Sequence, residues 1–216
     1  MNLVQLENLT KIINGEMVLS NVCMRLESGK VYGIIGKNGS GKSMLFRALA
    51  DLVHLDDGII YLNGQIIKNG LPRALRVGLI IENVNLHMDL NAFENLMFLA
   101  KINGYISQTE VVETIEKVGL DPYNKKKIKT YSLGMRQKLI IAQAIMEYPD
   151  ILLLDEPTNA LDEESVCRFY KIVKEEAGRG AIVMIASHNR EDIVDLCDEV
   201  FFMKSGVLTK TMGEKA

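Results

Sequence analysis

Eight residues, Gly36-Lys37-Asn38-Gly39-Ser40-Gly41-Lys42-Ser43, combine three glycines, two lysines and two serines, and end on a Gly-Lys-Ser whose spacing suits holding phosphate. Glycines let backbone N–H groups turn inward and approach an anion closely. From that position Lys42 can reach the β- and γ-phosphates of a nucleotide, and the Ser43 hydroxyl can ligate Mg²⁺. A helix that starts here points its positive end at the same phosphates. Further along, Ile151-Leu152-Leu153-Leu154-Asp155-Glu156 ends an apolar run on two carboxylates. One of them can hold Mg²⁺, directly or through water, while its neighbour orients and polarises an attacking water. Together the two stretches imply binding and hydrolysis of a nucleoside triphosphate.

Both need rigid elements to position them. Val31-Tyr32-Gly33-Ile34-Ile35, before the glycine loop, reads as a buried strand, and Met44-Leu45-Phe46-Arg47-Ala48-Leu49-Ala50 after it is rich in helix formers. Several short strand-like runs are expected over residues 3–35, with Val22, Met24 and Leu26 alternating. Ile59-Ile60-Tyr61-Leu62 leads into Asn63-Gly64, a hairpin signal. Val77–Ile81 is another buried strand.

Residues 83–130 change to helical periodicity. Asn91 with Glu94 and Ser107 with Glu110 have capping-box spacing, and Gly119 is a helix stop. Lys125, Lys126, Lys127 and Lys129 form a basic cluster that reads first as a solvated loop. From residue 139 apolar runs and helices alternate again: Ile151–Leu154, Ala181–Ala186 and Val200–Met203 are runs, and Val166, Phe169, Tyr170 and Val173 mark a helix face. Strands buried on both faces and separated by helices predict an α/β fold with a mainly parallel sheet.

The 216 residues are 48% apolar and 25% charged, enough for a sizeable core. A net charge of −3 offers no electrostatic case for nucleic acid. No apolar run approaches membrane-spanning length, and the N-terminus lacks the basic and apolar regions of a signal peptide. Cys23, Cys167 and Cys197 are set among apolar residues and are expected to be reduced core cysteines. The spacing of His54, His87 and His188 matches no zinc pattern.

With these motifs in this order, the whole chain resembles the ATP-binding domain of ABC transporters. Gly36–Ser43 is similar to Walker A, Ile151–Asp155 to Walker B, and Glu156 to the catalytic glutamate. Asn159-Ala160-Leu161-Asp162 resembles the D-loop, Ser187-His188 the switch histidine, and Tyr131-Ser132-Leu133-Gly134-Met135-Arg136-Gln137 stands where the family has its signature. The resemblance implies a P-loop NTPase (RecA-like) core, an N-terminal antiparallel β-subdomain and an inserted α-helical subdomain. Residues 1–82 and 139–216 would make the core and β-subdomain, residues 83–138 the helical one. It also implies roles. Glu156, His188 and Lys42 would be catalytic. Gly36, Asn38, Gly39, Ser40, Gly41, Lys42, Ser43 and Met44 would hold ATP, with Ile13 at the base. Ser132, Gly134 and Asp162 would contact nucleotide across a pair of such domains. Ser43, Glu82 and Asp155 would bind Mg²⁺.

Several positions depart from the family pattern. Leu133 replaces the first signature glycine, so the backbone there must be ordinary or strained. Met135 replaces the usual glutamine. Glu82 stands at the Q-loop glutamine and adds negative charge near the metal. Ile13 replaces an aromatic that stacks on adenine, which implies weaker discrimination of ATP from GTP. The Tyr-Ser-Leu-Gly-Met spelling and the acidic Q-loop are similar to the bacitracin and lantibiotic peptide exporter and immunity group. The implied function is an ATPase subunit at the cytoplasmic face of the membrane. It would power a separate multi-span permease and pair with a second ABC ATPase domain, as homodimer or paired subunit. The alternative is a soluble ABC-type ATPase without a membrane partner, as in iron–sulfur assembly. A guanine-reading Asn-Lys-x-Asp motif is missing, which argues against a GTPase.

Overall fold

The computed structural model describes residues 2–67, 72, 75–81, 84–188 and 193–211. β1 (Leu3–Ile13) and β2 (Glu16–Glu27) form one long hairpin, turned at Asn14 and Gly15, whose φ values are +50° and +82°. Sequence alternation suggested several shorter runs. Register shifts between Leu6 and Leu9, between Leu9 and Lys11, and between Lys11 and Ile12 interrupt the two-residue period within a continuous strand. β4 (Asp57–Leu62) and β5 (Gln65–Ile66) complete an antiparallel sheet of order β2-β1-β4-β5. The expected Asn63-Gly64 turn joins them, with positive φ at both residues.

β3 (Val31–Ile35), β6 (Val77–Ile80), β7 (Ile151–Asp155), β8 (Ile182–Ser187), β9 (Glu199–Lys204) and β10 (Val207–Lys210) build a second sheet. Its order is β10-β9-β3-β8-β7-β6. All neighbours are parallel except the β9–β10 hairpin. Side-chain alternation explains the unbroken apolar runs. Leu152, Leu154, Val183 and Ile185 enter the core under the helices, while Ile151, Leu153, Ile182 and Met184 enter the core shared with the antiparallel sheet.

α1 (Lys42–Leu49) follows the glycine loop. α2 (Ala92–Asn103) and α3 (Gln108–Lys117) begin at the two expected capping boxes, in which Asn91 and Ser107 exchange hydrogen bonds with Glu94 and Glu110. α4 (Leu133–Ile145) packs on both and on β6, where a Cβ at Gly78 would run into the Ala144 carbonyl. α5 (Glu163–Gly178) covers β3 and β8. Lys117 of α3 reaches Glu175 and Glu176 of α5, 3.1 Å from each. Burial works against its ammonium, but the two carboxylates together override that and raise its pKa.

The cysteines correct one expectation. Cys23 and Cys167 are exposed: Cys23 points outward between buried Val22 and Met24, and Cys167 lies on the solvent face of α5. Apolar neighbours in sequence do not share a face in a strand or helix. Cys197 is half-buried against Gly33, and burial pushes its thiol up to about 12.

Candidate active site

Strand register brings the chemical residues together. Ile35 pairs with Ser187, and Asp155 pairs with Ala186, so β3, β7 and β8 end at one edge of the sheet. The glycine loop, Asp155-Glu156 and His188 leave from that edge. Ligands of open parallel sheets bind there. A cavity of about 510 Å³ opens at the edge and is lined by Asn38 to Met44, Asp155, Glu156 and His188.

The loop's glycines are needed individually. Gly39 has φ +77° and Gly41 φ +110°, conformations that strain other residues. A Cβ on Gly41 would lie 2.6 Å from the Val18 carbonyl, and one on Gly36 would strike the Met203 carbonyl. Gly41 also caps α1, which aims the helix N-terminus into the cavity.

Lys42 is 5% exposed. Its Nζ donates to the carbonyls of Gly36 at 2.6 Å and Lys37 at 3.3 Å and sits 4.0 Å from Glu156 Oε1. The Ser43 hydroxyl donates to the Asp155 carboxylate. His188 Nδ1 lies 2.9 Å from Glu156 Oε1, although the carboxylate oxygen receives no aligned hydrogen bond. Glu156 has φ +48°, a strained backbone for a side chain of this size, held by its N–H donating to Ala186 O at 2.9 Å.

These residues fit a nucleoside triphosphate and Mg²⁺. Ser40 Oγ is buried without a hydrogen-bond partner, which suits a loop built to meet a further oxygen. Ser43 and Asp155 offer the hard oxygen donors that Mg²⁺ takes, with phosphate and water able to complete its octahedron. Among the described residues no group of three or more His, Cys, Asp or Glu gathers as a metal site of its own. The Mg²⁺ assignment to Glu82 lies outside the described residues.

Other expected residues lie elsewhere. Ser132 caps α4, its Oγ accepting from Met135 N–H at 3.2 Å, and does not line the cavity. Gly134 is also absent from the lining, and a Cβ on it would sit 2.8 Å from the Ala160 carbonyl. Leu133 opens α4 without a positive φ and is 71% exposed, so the leucine is accommodated without strain. Asp162 caps α5, accepting from Ser165 N–H at 2.8 Å; the hydrogen bonds from Ser165 hold its carboxyl below the usual range. Ile13 ends β1, half-exposed and outside the cavity lining. Val18 supplies an apolar wall of the lining.

Sequence reasoning also missed Arg47, Ile80, Ile140, Gln137 and Asn159, all of which line the cavity. Arg47 was readable in principle. It lies one helical turn after Ser43 and therefore on the same face of α1. Gln137 and Ile140 reach the cavity only through the packing of α4.

Residues 19–159 match the family model described as ABC transporter. The chain is 45% identical over 206 residues to an uncharacterized ABC transporter ATP-binding protein, YybJ of Bacillus subtilis, covering 95% of this chain and 94% of that one. It is 35% identical to the lantibiotic transport ATP-binding protein SrtF of Streptococcus pyogenes, covering 94% and 88%. It is 34% identical to the bacitracin transport ATP-binding protein BcrA of Enterococcus faecalis, covering 96% and 68%. Among solved structures, the ATP-binding cassette MJ0796 in a dimeric post-hydrolysis state bound to ADP and Pi superposes with a TM-score of 0.83. It covers 98% of this chain and 100% of that one, at 24% identity, and so shares the fold. The chain belongs to the ABC transporter family, as one of its ATP-binding, ATP-hydrolysing domains.

Proposed function

We propose that this chain is the subunit that binds and hydrolyses ATP to power a separate membrane permease, which exports a peptide antibiotic or bacteriocin. The observation that carries the ATPase assignment is the convergence of Lys42, Ser43, Asp155, Glu156 and His188 on one cavity. Lys42 and the N–H groups of residues 38–44 hold the β- and γ-phosphates. Ser43 and Asp155 hold Mg²⁺, with Glu82 a further proposed ligand. A Mg²⁺ held by these residues would supply positive charge against the phosphates. Glu156 takes a proton from the attacking water. His188 contacts the γ-phosphate and keeps the Glu156 carboxylate in place.

Ser132, Gly134 and Asp162 lie outside this cavity, and we assign them to the nucleotide of a second domain. The exposed N-terminus of α4, with Ser132 at its cap, would complete the partner's phosphate shell. Ile13 is assigned to the base, where it covers less than an aromatic would. ATP then joins two domains, and hydrolysis releases them.

The membrane assignment rests on relatives and on a surface. SrtF and BcrA carry lantibiotic and bacitracin transport in their names. No helix among the described residues is long and apolar enough to cross a membrane, so the permease is a separate chain or segment. Phe98 and Ile102, one turn apart on α2, are 49% and 67% exposed and offer an apolar docking stripe at the cytoplasmic membrane face.

Glu156→Gln tests the site. It keeps the side-chain shape and removes the base, so ATP affinity is retained while hydrolysis falls by about 100-fold or more. Wild-type turnover in this variant overturns the assignment.

A further inference from the structure

We propose that Gln137 is a positioning residue for hydrolysis: it clamps the strained loop that aims Glu156, and thereby ties the catalytic carboxylate to the α4 N-terminus of the same chain. The proposal rests on Glu156 being the base.

Three observations converge. The Gln137 side-chain amide donates to the Pro157 carbonyl at 2.8 Å, immediately after Glu156. One turn earlier on α4, Gly134 packs so closely on the Ala160 carbonyl that only glycine leaves room. At these two contacts the loop holds two non-glycine residues in the left-handed region, Glu156 at φ +48°, next to Pro157, and Ala160 at φ +66°. Both conformations are disfavoured for residues with a Cβ and persist only where the surroundings hold them. The loop's own backbone bonds are short-range turns, Asn159 N–H to Glu156 O at 3.3 Å and Leu161 N–H to Thr158 O at 3.1 Å. Such turns curl the segment without fixing it to the body of the protein. Among its attachments there are the Glu156 N–H bond to Ala186, the packing of Leu161 on the core, and the two contacts from α4.

Gln137 also lines the cavity, so the clamp sits beside the reacting groups. Ser132 caps the same helix two residues before Gly134. A shift of α4 driven at that cap therefore moves the donor on Pro157 and the wall against Ala160. The carboxylate lies 4.0 Å from Lys42 Nζ and 2.9 Å from His188 Nδ1, and small displacements of its loop change both separations.

The test uses Gln137→Met, which keeps length and removes the donor, and Gln137→Glu, which puts an acceptor against the carbonyl. Lysine at the same position restores an N–H donor. The clamp predicts that kcat for Mg-ATP falls at least about tenfold in the Met and Glu variants. It predicts that KM and the affinity for a fluorescent ATP analogue stay within about twofold, and that the Gln137→Lys variant recovers most of kcat. Amide exchange should rise at Asn159 and Leu161 while β7 stays protected. An unchanged kcat overturns the proposal. So does a loss of kcat accompanied by an equal loss of nucleotide affinity and faster exchange in β7, which marks a general packing defect. If the Met variant does not fold, the polar Glu variant carries the same readings. Glu156→Gln run in parallel separates the claims: if it keeps hydrolysis, the base assignment fails, and if it alone loses hydrolysis, only the clamp fails.

Discussion

Lys42 shows how one side chain couples loop and chemistry. Its ammonium is nearly buried and rests on the Gly36 and Lys37 carbonyls, with the Glu156 carboxylate at 4.0 Å. An anion in the cavity takes over as its main partner, with a charge-assisted bond stronger than those to neutral carbonyls. Lys42→Ala is therefore expected to weaken ATP binding by about 10–100-fold, read by titration with a fluorescent analogue. Undiminished affinity would show that the backbone cradle suffices alone. That Lys42, Ser43, Asp155 and Glu156 share one cavity was legible in the sequence because their spacing places them in two short segments at strand ends. Val18, Gln137 and Ile140 were not, because tertiary packing alone brings them to the cavity. The exposure of Cys23 and Cys167 was misread for a related reason: their neighbours' polarity says nothing of which face a given residue takes.

α2, α3 and α5 carry acidic residues in their first turns, and such capping is local enough to read from sequence. The boxes at Asn91–Glu94 and Ser107–Glu110 were predicted and formed. The long β1–β2 hairpin was less legible because bulges break its alternation. Glu110 has its pKa lowered by the Ser107 backbone N–H, Asp162 by hydrogen bonds from Ser165, and Asp89 by Lys129. Folded-state values below the unfolded ones contribute stability that is fully present above the unfolded pKa values. That stability is lost as pH falls through the depressed folded values. The melting temperature is thus expected to hold from neutrality to about pH 5 and then to fall. The Glu110→Gln, Asp162→Asn double variant should show a shallower fall. An identical acid slope in that variant would remove these carboxylates from the account.

At the scale of the whole molecule, the two sheets divide the work. The parallel sheet lines up Gly36, Asp155 and His188 at one edge, and the antiparallel sheet supplies Val18 beside the loop. The α4 helix puts Gln137 and Ile140 in the cavity lining but leaves Ser132 and Gly134 outside it. The chain on this account holds one half of a phosphate shell at each of two places, and two copies, or a copy and a relative, complete both. The parallel order of the sheet followed from the buried runs, whereas the reach of Gln137 and Ile140 into the cavity required the packed helices.

The most direct measurement follows mass and Mg-ATP turnover of the wild-type protein through one dilution series. The account predicts that specific activity falls with dilution in step with loss of an ATP-dependent dimer. Full specific activity at concentrations where the protein is entirely monomeric would contradict it.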